Sequence, residues 1–259
     1  MTEPSVLEMF RLDGRRALVT GGARGLGRVM ATALAEAGAS VAITSRSADS
    51  GRTAAAQIAA ATHPQVRAFV ADVTIAEDVE RLVSECASSM GSIDILVNNA
   101  GVNVRGASDQ IAEADWDRVI DTNLKAPFLV ARAIGPGMAD RGWGRIINVA
   151  SILGMVALPG RAPYASSKAG IINLTRVLAL EWASRGVTVN AICPGVFDTD
   201  MNRKFLQDPA NRDEFLRRIP LARWGEVREL AGAAVFLASE ASSYVTGSTL
   251  VVDGGWTAW

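Results

Sequence analysis

The stretch Arg16-Ala-Leu-Val-Thr-Gly-Gly-Ala-Arg-Gly-Leu-Gly27 leaves this chain few folds to choose from. Residues 16–20 are an apolar run of strand length, and the glycines follow without a spacer. Arg28-Val-Met-Ala-Thr-Ala-Leu-Ala-Glu-Ala37 then reads as a helix rich in strong formers. Strand, glycine turn and helix in that order are what a phosphate loop requires. Glycines let the backbone turn tightly and approach a pyrophosphate, and the amides and positive end of the following helix attract its charge.

From there strand and helix signals alternate. Strands are expected at 41–45, 66–70, 93–97, 144–149, 187–192 and 249–252, and helices at 53–61, 116–139, 164–185 and 227–238. Thr74 with Glu77 predicts a capping box opening a further helix that runs to about Met90. Pro127 and Pro136 must sit near an end or a kink of theirs. Such alternation predicts an α/β fold, a single Rossmann-type doubly wound parallel sheet of about seven strands with helices on both faces. Residues 1–259 are expected to form one dinucleotide-binding and catalytic domain, with an irregular segment around 195–220 as a substrate lid.

Composition narrows the function. Hydrophobic residues make up 49% of the 259, enough for a large core without disulfide or metal. A net charge of −1, with arginines spread along the chain, offers no basic face to nucleic acid. Cys86 and Cys193 are isolated in sequence and His63 is the only histidine, so no disulfide framework or His/Cys metal site is expected. The first residues carry acids and no apolar signal core, and no apolar run reaches membrane-spanning length, which predicts a soluble, cytoplasmic protein.

Chemistry concentrates in Tyr164-Ala-Ser-Ser-Lys168. On a helix, residues four apart share a face, so phenol and ammonium project to one side. A phenol of pKa about 10 is a poor acid or base at neutral pH, and a neighbouring cation is expected to draw it down. Ser151 follows the apolar run 145–150, where a strand would deliver a hydroxyl to the carboxyl edge of the sheet.

With these residues in place, the chain resembles the short-chain dehydrogenase/reductases from Thr20 to its Val-Asp-Gly-Gly tail. The likeness rests on the glycine loop 20–27, Asn98-Asn-Ala-Gly101, Ser151, Tyr164 with Lys168, and Pro194-Gly195. The resemblance implies that Tyr164 exchanges a proton with the substrate oxygen and that Ser151 hydrogen-bonds that oxygen. Lys168 would lower the tyrosine pKa and hold the nicotinamide ribose, and Asn123 would support a proton relay through water. For the cofactor it implies contacts from Gly21, Arg24, Gly25, Leu26, Gly27, Ser45, Arg46, Asp72, Val73, Asn99, Ala100, Gly101, Tyr164, Lys168, Pro194, Gly195 and Thr199. Among these, Asp72 matches an adenine contact and Thr199 a contact to the carboxamide. Family habit further implies a homotetramer built on the two long helices and the C-terminal tail, where Trp256 and Trp259 would be covered by a neighbour.

Which cofactor is used can be read in part from the second strand. An acid at its end would bond a ribose 2′-hydroxyl and repel a 2′-phosphate. Here Ser45 stands at that position, followed by Arg46, and Arg24 enters from the glycine loop, so NADP(H) is expected, with NAD(H) as the lesser alternative. The substrate is a small molecule. Two resemblances bear on it, to gluconate 5-dehydrogenases and to 3-oxoacyl-[acyl-carrier-protein] reductases. Asn103, Arg105, Asn202 and Arg203 would suit a sugar acid. Met155, Val156, Leu158, Phe197 and Leu206 would suit an apolar ketone, and Arg141 and Arg185 would receive an acidic carrier protein.

Overall fold

The computed structural model describes residues 5–62, 65–199 and 207–259; His63, Asn202, Arg203 and Leu206 lie outside them. Its strands are β1 (Arg16–Val19), β2 (Ser40–Ser45), β3 (Val66–Val70), β4 (Ile95–Asn98), β5 (Gly144–Val149), β6 (Val187–Pro194) and β7 (Thr249–Val252). Helices α1 (Gly25–Glu36), α2 (Ala48–Thr62), α3 (Ala76–Met90), α4 (Glu113–Ile120), α5 (Ala126–Asp140), α6 (Ala162–Trp182), α7 (Pro209–Arg217) and α8 (Ala231–Ala238) accompany them.

All seven strands join one parallel sheet in the order β3-β2-β1-β4-β5-β6-β7. Successive residues on a strand point to opposite faces, and here both faces are buried. Val19, Ile43, Val97 and Ile147 pack with Met30, Leu34, Ile58 and Leu237 of α1, α2 and α8. Their neighbours Leu18, Ala42, Leu96 and Ile146 pack on the other face with Leu82, Val130, Met138 and Leu178 of α3, α5 and α6. Strand order reverses direction between β1 and β4, which opens a crevice at the carboxyl edge where ligands bind in such sheets. In register, Val19 lies beside Ile43 and Val97, Asn98 beside Asn148, and Val149 beside Ile192, so the loops that leave these strands emerge along one edge.

Several local expectations are corrected. No capping box forms at Thr74, because its N–H and its hydroxyl both donate to Asp72 Oδ1, at 3.0 and 2.7 Å. The helix therefore starts at Ala76, behind Ile75, which makes no side-chain cap. The helix expected over 116–139 begins earlier, at Glu113, and is interrupted by a π-turn at Asp121–Lys125. Pro127 lies in the first turn of α5, directly after that π-turn, and Pro136 falls inside the helix. Within the segment expected to be irregular, Pro209–Arg217 is helical.

Trp256 needs no neighbouring subunit to cover it. Its ring packs 5.2 Å from that of Phe215 and is buried with Ile152 and Ile219, while Trp259 is exposed. Among the described residues, no helix is long and apolar enough to cross a membrane, and no His/Cys/Asp/Glu group is arranged to hold a metal ion.

Candidate active site

The glycine loop is fastened to the end of β4. Thr20 Oγ1 accepts from the N–H groups of Asn99 and Ala100 at 3.0 Å each. Asn99 Nδ2 in turn donates to the carbonyls of Thr20 and Gly21 at 3.0 and 3.2 Å. Asn99 was expected to line a cofactor; the structure spends its amide on shaping the loop. At Gly27 a Cβ would stand 2.6 Å from the Gly21 carbonyl oxygen and against Asn99, so only glycine lets α1 start this close to the strand.

No side chain caps the N-terminus of α1 at Arg24, so its first-turn amides remain available to an anion. Arg24 and Arg46 are exposed, and Ser45 ends β2 with no carboxylate at that position. A glycine turn, an uncapped helix end and two arginines without an acid fit the pyrophosphate and 2′-phosphate of NADP(H).

The remaining expected contacts scatter along the same edge. Asp72 leaves β3, tied to Thr74, while Val73 is buried in the α3 layer. Gly101 follows β4, and Leu26 packs partly buried on the core beneath α1. Pro194 ends β6, and the Gly195 N–H donates to the Val252 carbonyl at 2.8 Å. Thr199 and Gly25 share a cavity of about 430 Å³ with Arg28 and Asp198.

Across the crevice, α6 carries Tyr164 and Lys168. Its buried face repeats through Lys168, Ile171, Ile172, Thr175, Leu178 and Ala179, so the spacing that packs the helix also draws the ammonium inward. Lys168 Nζ donates to the Val149 carbonyl at 2.6 Å and lies 5.7 Å from the Tyr164 ring centre. Ser151 opens a short 3-10 turn, Ile152–Gly154, and its Oγ accepts from the Leu153 N–H at 3.2 Å. Gly154 lets that turn lie flat on α6, since a Cβ there would stand 2.5 Å from the Lys168 carbonyl oxygen. The Ser151 hydroxyl is near enough to the phenol to favour its charged form.

Asn123 sits on the π-turn with its side chain spent on structure. Its Oδ1 accepts from the Val102 N–H at 2.8 Å, and its Nδ2 donates to the Val102 carbonyl at 2.9 Å and to Ser167 Oγ at 3.1 Å. A π-turn inside a helix is itself a frequent mark of a functional site.

The net shift of the Tyr164 phenol is upward, opposite to the expectation that a neighbouring cation draws it down. Burial pushes the Tyr164 phenol above its ordinary value, opposed by the Ser151 hydrogen bond and by Arg105 and Arg161. Lys168 Nζ lies 5.7 Å from the Tyr164 ring centre and donates to the Val149 carbonyl, and burial brings its own pKa down to about 8. The cations that face the phenol come from two loops. Burial lowers the pKa of both Arg105 and Arg161, and each interacts with Tyr164. Arg161 was not found from the sequence. The one signal was its place immediately ahead of Pro163 and Tyr164, and an arginine before a helix is ordinarily solvated.

Other expected substrate residues divide. Asn103 belongs to the same loop as Arg105, and its Oδ1 is buried without a hydrogen-bond partner among the described residues. Val156 and Leu158 pack around Ile152, Ile219 and Trp256, whereas Met155 is exposed and Phe197 lies in the main core. Arg141 and Arg185 cannot stand at the mouth of this site. They follow the C-terminal ends of α5 and α6, at the opposite edge of the sheet, where Arg141 donates to the Ile93 carbonyl at 2.6 Å and Arg185 pairs with Asp140 at 2.6 Å.

A family model of the short-chain alcohol dehydrogenase type, described as enoyl-(acyl carrier protein) reductase, matches residues 21–257. Gluconate 5-dehydrogenase of Gluconobacter oxydans is 42% identical over 250 residues, covering 96% of this chain and 97% of that protein. A 3-oxoacyl-[acyl-carrier-protein] reductase of Staphylococcus epidermidis is 41% identical over 241 residues, 93% of this chain and 98% of its own. The crystal structure of a gluconate 5-dehydrogenase from Burkholderia cenocepacia in complex with NADP and tartrate superposes with a TM-score of 0.95 at 42% identity, covering 98% of this chain and 100% of that one.

Proposed function

The chain belongs to the short-chain dehydrogenase/reductase family and is an NADP(H)-dependent oxidoreductase of CH–OH groups; we propose that its substrate is a sugar acid of the gluconate type. The observation that carries this reading is the half-buried Arg105 guanidinium, which interacts with the Tyr164 phenol, together with the buried Asn103 oxygen on the same loop, which has no partner among the described residues. A hydroxylated carboxylate uses both kinds of group, the guanidinium for its charge and the amide for a hydroxyl. Two relatives named above are gluconate 5-dehydrogenases, and one of their structures holds tartrate, a hydroxy diacid.

Bound NADP(H) supplies or accepts the hydride. The protein's residues supply position, a proton and polarisation of the carbonyl. Tyr164 donates its phenolic proton to the carbonyl oxygen in reduction and takes the alcohol proton in oxidation. Ser151, beside the phenol, holds the same oxygen and stabilises charge as it develops there. Lys168 holds the ribose hydroxyls from its seat at Val149, and Asn123 keeps the Val102 loop on α6 so that the relay to solvent stays aligned. Gly21, Gly25, Leu26 and Gly27 receive the pyrophosphate, Ser45, Arg24 and Arg46 the 2′-phosphate, and Asp72 and Val73 the adenine. Asn99, Ala100, Gly101, Pro194, Gly195 and Thr199 border the nicotinamide half.

The whole chain acts as one catalytic domain, the 195–220 segment closes over substrate, and four copies assemble in the cytoplasm. Reduction of an acyl thioester on a carrier protein is the competing reading, supported by the staphylococcal relative. Assaying wild type with NADPH against 5-oxogluconate, β-ketoacyl thioesters and simple ketones decides between them. Arg105→Ala is expected to raise KM for the sugar acid about tenfold or more and leave a neutral ketone little changed, as loss of a hydrogen bond to a charged group costs about 1.5–3 kcal/mol. Absence of turnover with any sugar acid overturns the proposal.

A further inference from the structure

We infer that Ser167 is a positioning residue for the reaction: its hydroxyl locks the Asn123 π-turn to the head of α6, so that the loop after β4 and the Tyr164 and Lys168 pair keep one geometry. Ser167 is fully buried and acts through Asn123 rather than on the substrate. The role is the same for any carbonyl substrate.

A serine hydroxyl has one proton to give, and Ser167 gives it to the Tyr164 carbonyl at 2.7 Å. Towards Asn123 the same oxygen can then only accept, and it takes an Nδ2 proton at 3.1 Å. The second Nδ2 proton goes to the Val102 carbonyl at 2.9 Å, while Asn123 Oδ1 takes the Val102 N–H at 2.8 Å. Both amide protons and the hydroxyl proton are thereby engaged in one direction, from the loop through the π-turn to the catalytic helix. Asn123 is 1% exposed and Ser167 0%, so water does not compete for these bonds.

A serine in a helix often bonds the carbonyl of the turn before it, and that bond alone would say little. Ser167 also receives Asn123 from another element, at the point where the catalytic groups converge. A Cβ on Gly101 would meet Asn123 Oδ1 at 3.3 Å and Lys168 Nζ at 3.9 Å, so amide and ammonium border the same small space. A slip of Asn123 therefore moves the Val102 loop and changes the room beside the ammonium seated on Val149. The π-turn carries an extra residue within a helix, so its register needs a fixed point. Leu124, the next residue, seats on Gly170 of α6, where a Cβ would come within 2.8 Å of its Cδ2. That apolar seat keeps the π-turn on α6 without the hydroxyl, which leaves the hydrogen bond to set alignment rather than assembly.

The test compares Ser167→Ala with wild type in two measurements. Hydrogen exchange followed by mass spectrometry on the NADP⁺ complex needs no substrate: the peptide that contains Val102 is expected to exchange about 10-fold faster or more, and the one that contains Ile147 of β5 to stay unchanged. In reduction of 5-oxogluconate by NADPH, kcat is expected to fall about 10- to 100-fold with KM for NADPH unchanged. The solvent isotope effect on kcat should rise as delivery of the Tyr164 proton slows, which a smaller folded fraction would not produce. Asn123→Ala combined with Ser167→Ala should be no slower than Asn123→Ala alone, since the serine acts through the asparagine. Should Ser167→Ala fold poorly, Ser167→Cys, similar in size and a weaker donor, carries both measurements with smaller changes of the same sign. Unchanged exchange at Val102, an unchanged kcat or additive losses in the double variant overturn the inference. If wild type leaves 5-oxogluconate unreduced, the substrate reading fails and the exchange result alone decides the role of Ser167.

Discussion

Tyr164 keeps its proton at neutral pH because burial outweighs the charges around it. Its folded pKa lies above the ordinary phenolic value, so the neutral phenol needed for ketone reduction is fully present through pH 6 to 8. The phenolate needed for alcohol oxidation becomes available only as pH rises. Reduction is therefore expected to run flat across that window and oxidation to climb through it, which pH profiles of kcat/KM in both directions will show; a reduction rate falling between pH 6 and 7.5 would mean that another group delivers the proton. Above about pH 8, Lys168 loses its own charge, so a further break there reports the lysine. Tyr164→Phe removes the proton and little volume, and turnover should drop by at least about 10²-fold with NADP⁺ affinity preserved.

Elements act here through how closely they approach one another. The turn after Ser151 reaches the phenol only because Gly154 rests on the backbone of α6. Gly154→Ala would press a methyl against the Lys168 carbonyl and cost about 1–3 kcal/mol in overpacking. It should lower Tm by several degrees and kcat by more than KM, since the hydroxyl is lifted from the oxygen it stabilises; an unchanged kcat would show that the turn can shift without moving Ser151. Glycine spacing pointed to the phosphate loop, but nothing in the sequence distinguished Gly154 from an ordinary turn glycine. Its contact is made by a helix from a later part of the chain. The missing capping box has a similar origin: Thr74 had the right spacing to Glu77, yet Asp72 lay nearer and took both of its donors.

At the scale of the whole molecule, cofactor binding couples β1, β2 and β4 through one crevice and should stabilise them together. A ligand at about 100 times its Kd adds about 2.7 kcal/mol, and a chain of this size gains about 2–4 °C per kcal/mol. NADP⁺ is therefore expected to raise Tm by about 5–10 °C, and NAD⁺ at the same concentration by less. Replacing Arg24 and Arg46 by alanine should erase that difference without changing the Tm of the protein alone, because both side chains are exposed. An equal response of the wild type to the two cofactors would remove the 2′-phosphate role of these arginines.

The order of strands and helices, the glycine loop and the positions of Ser151, Tyr164 and Lys168 were legible in the sequence, because periodicity and short spacings are local properties of a chain. The direction in which Tyr164 is shifted was not, since it depends on burial and on Arg105 and Arg161, which reach the phenol from separate loops. Arg141 and Arg185 were misplaced for the same reason. A sequence shows that they end helices, and only the sheet shows that those ends lie on the edge away from the site. The sequence cannot show that Trp256 is covered from within the chain, because Phe215 and Ile219 reach it only in the folded protein. Local pattern determines which residues can do chemistry, whereas charge and burial act through space, so their balance at the phenol was decided only when the loops after β4 and before α6 were brought together at Gly160.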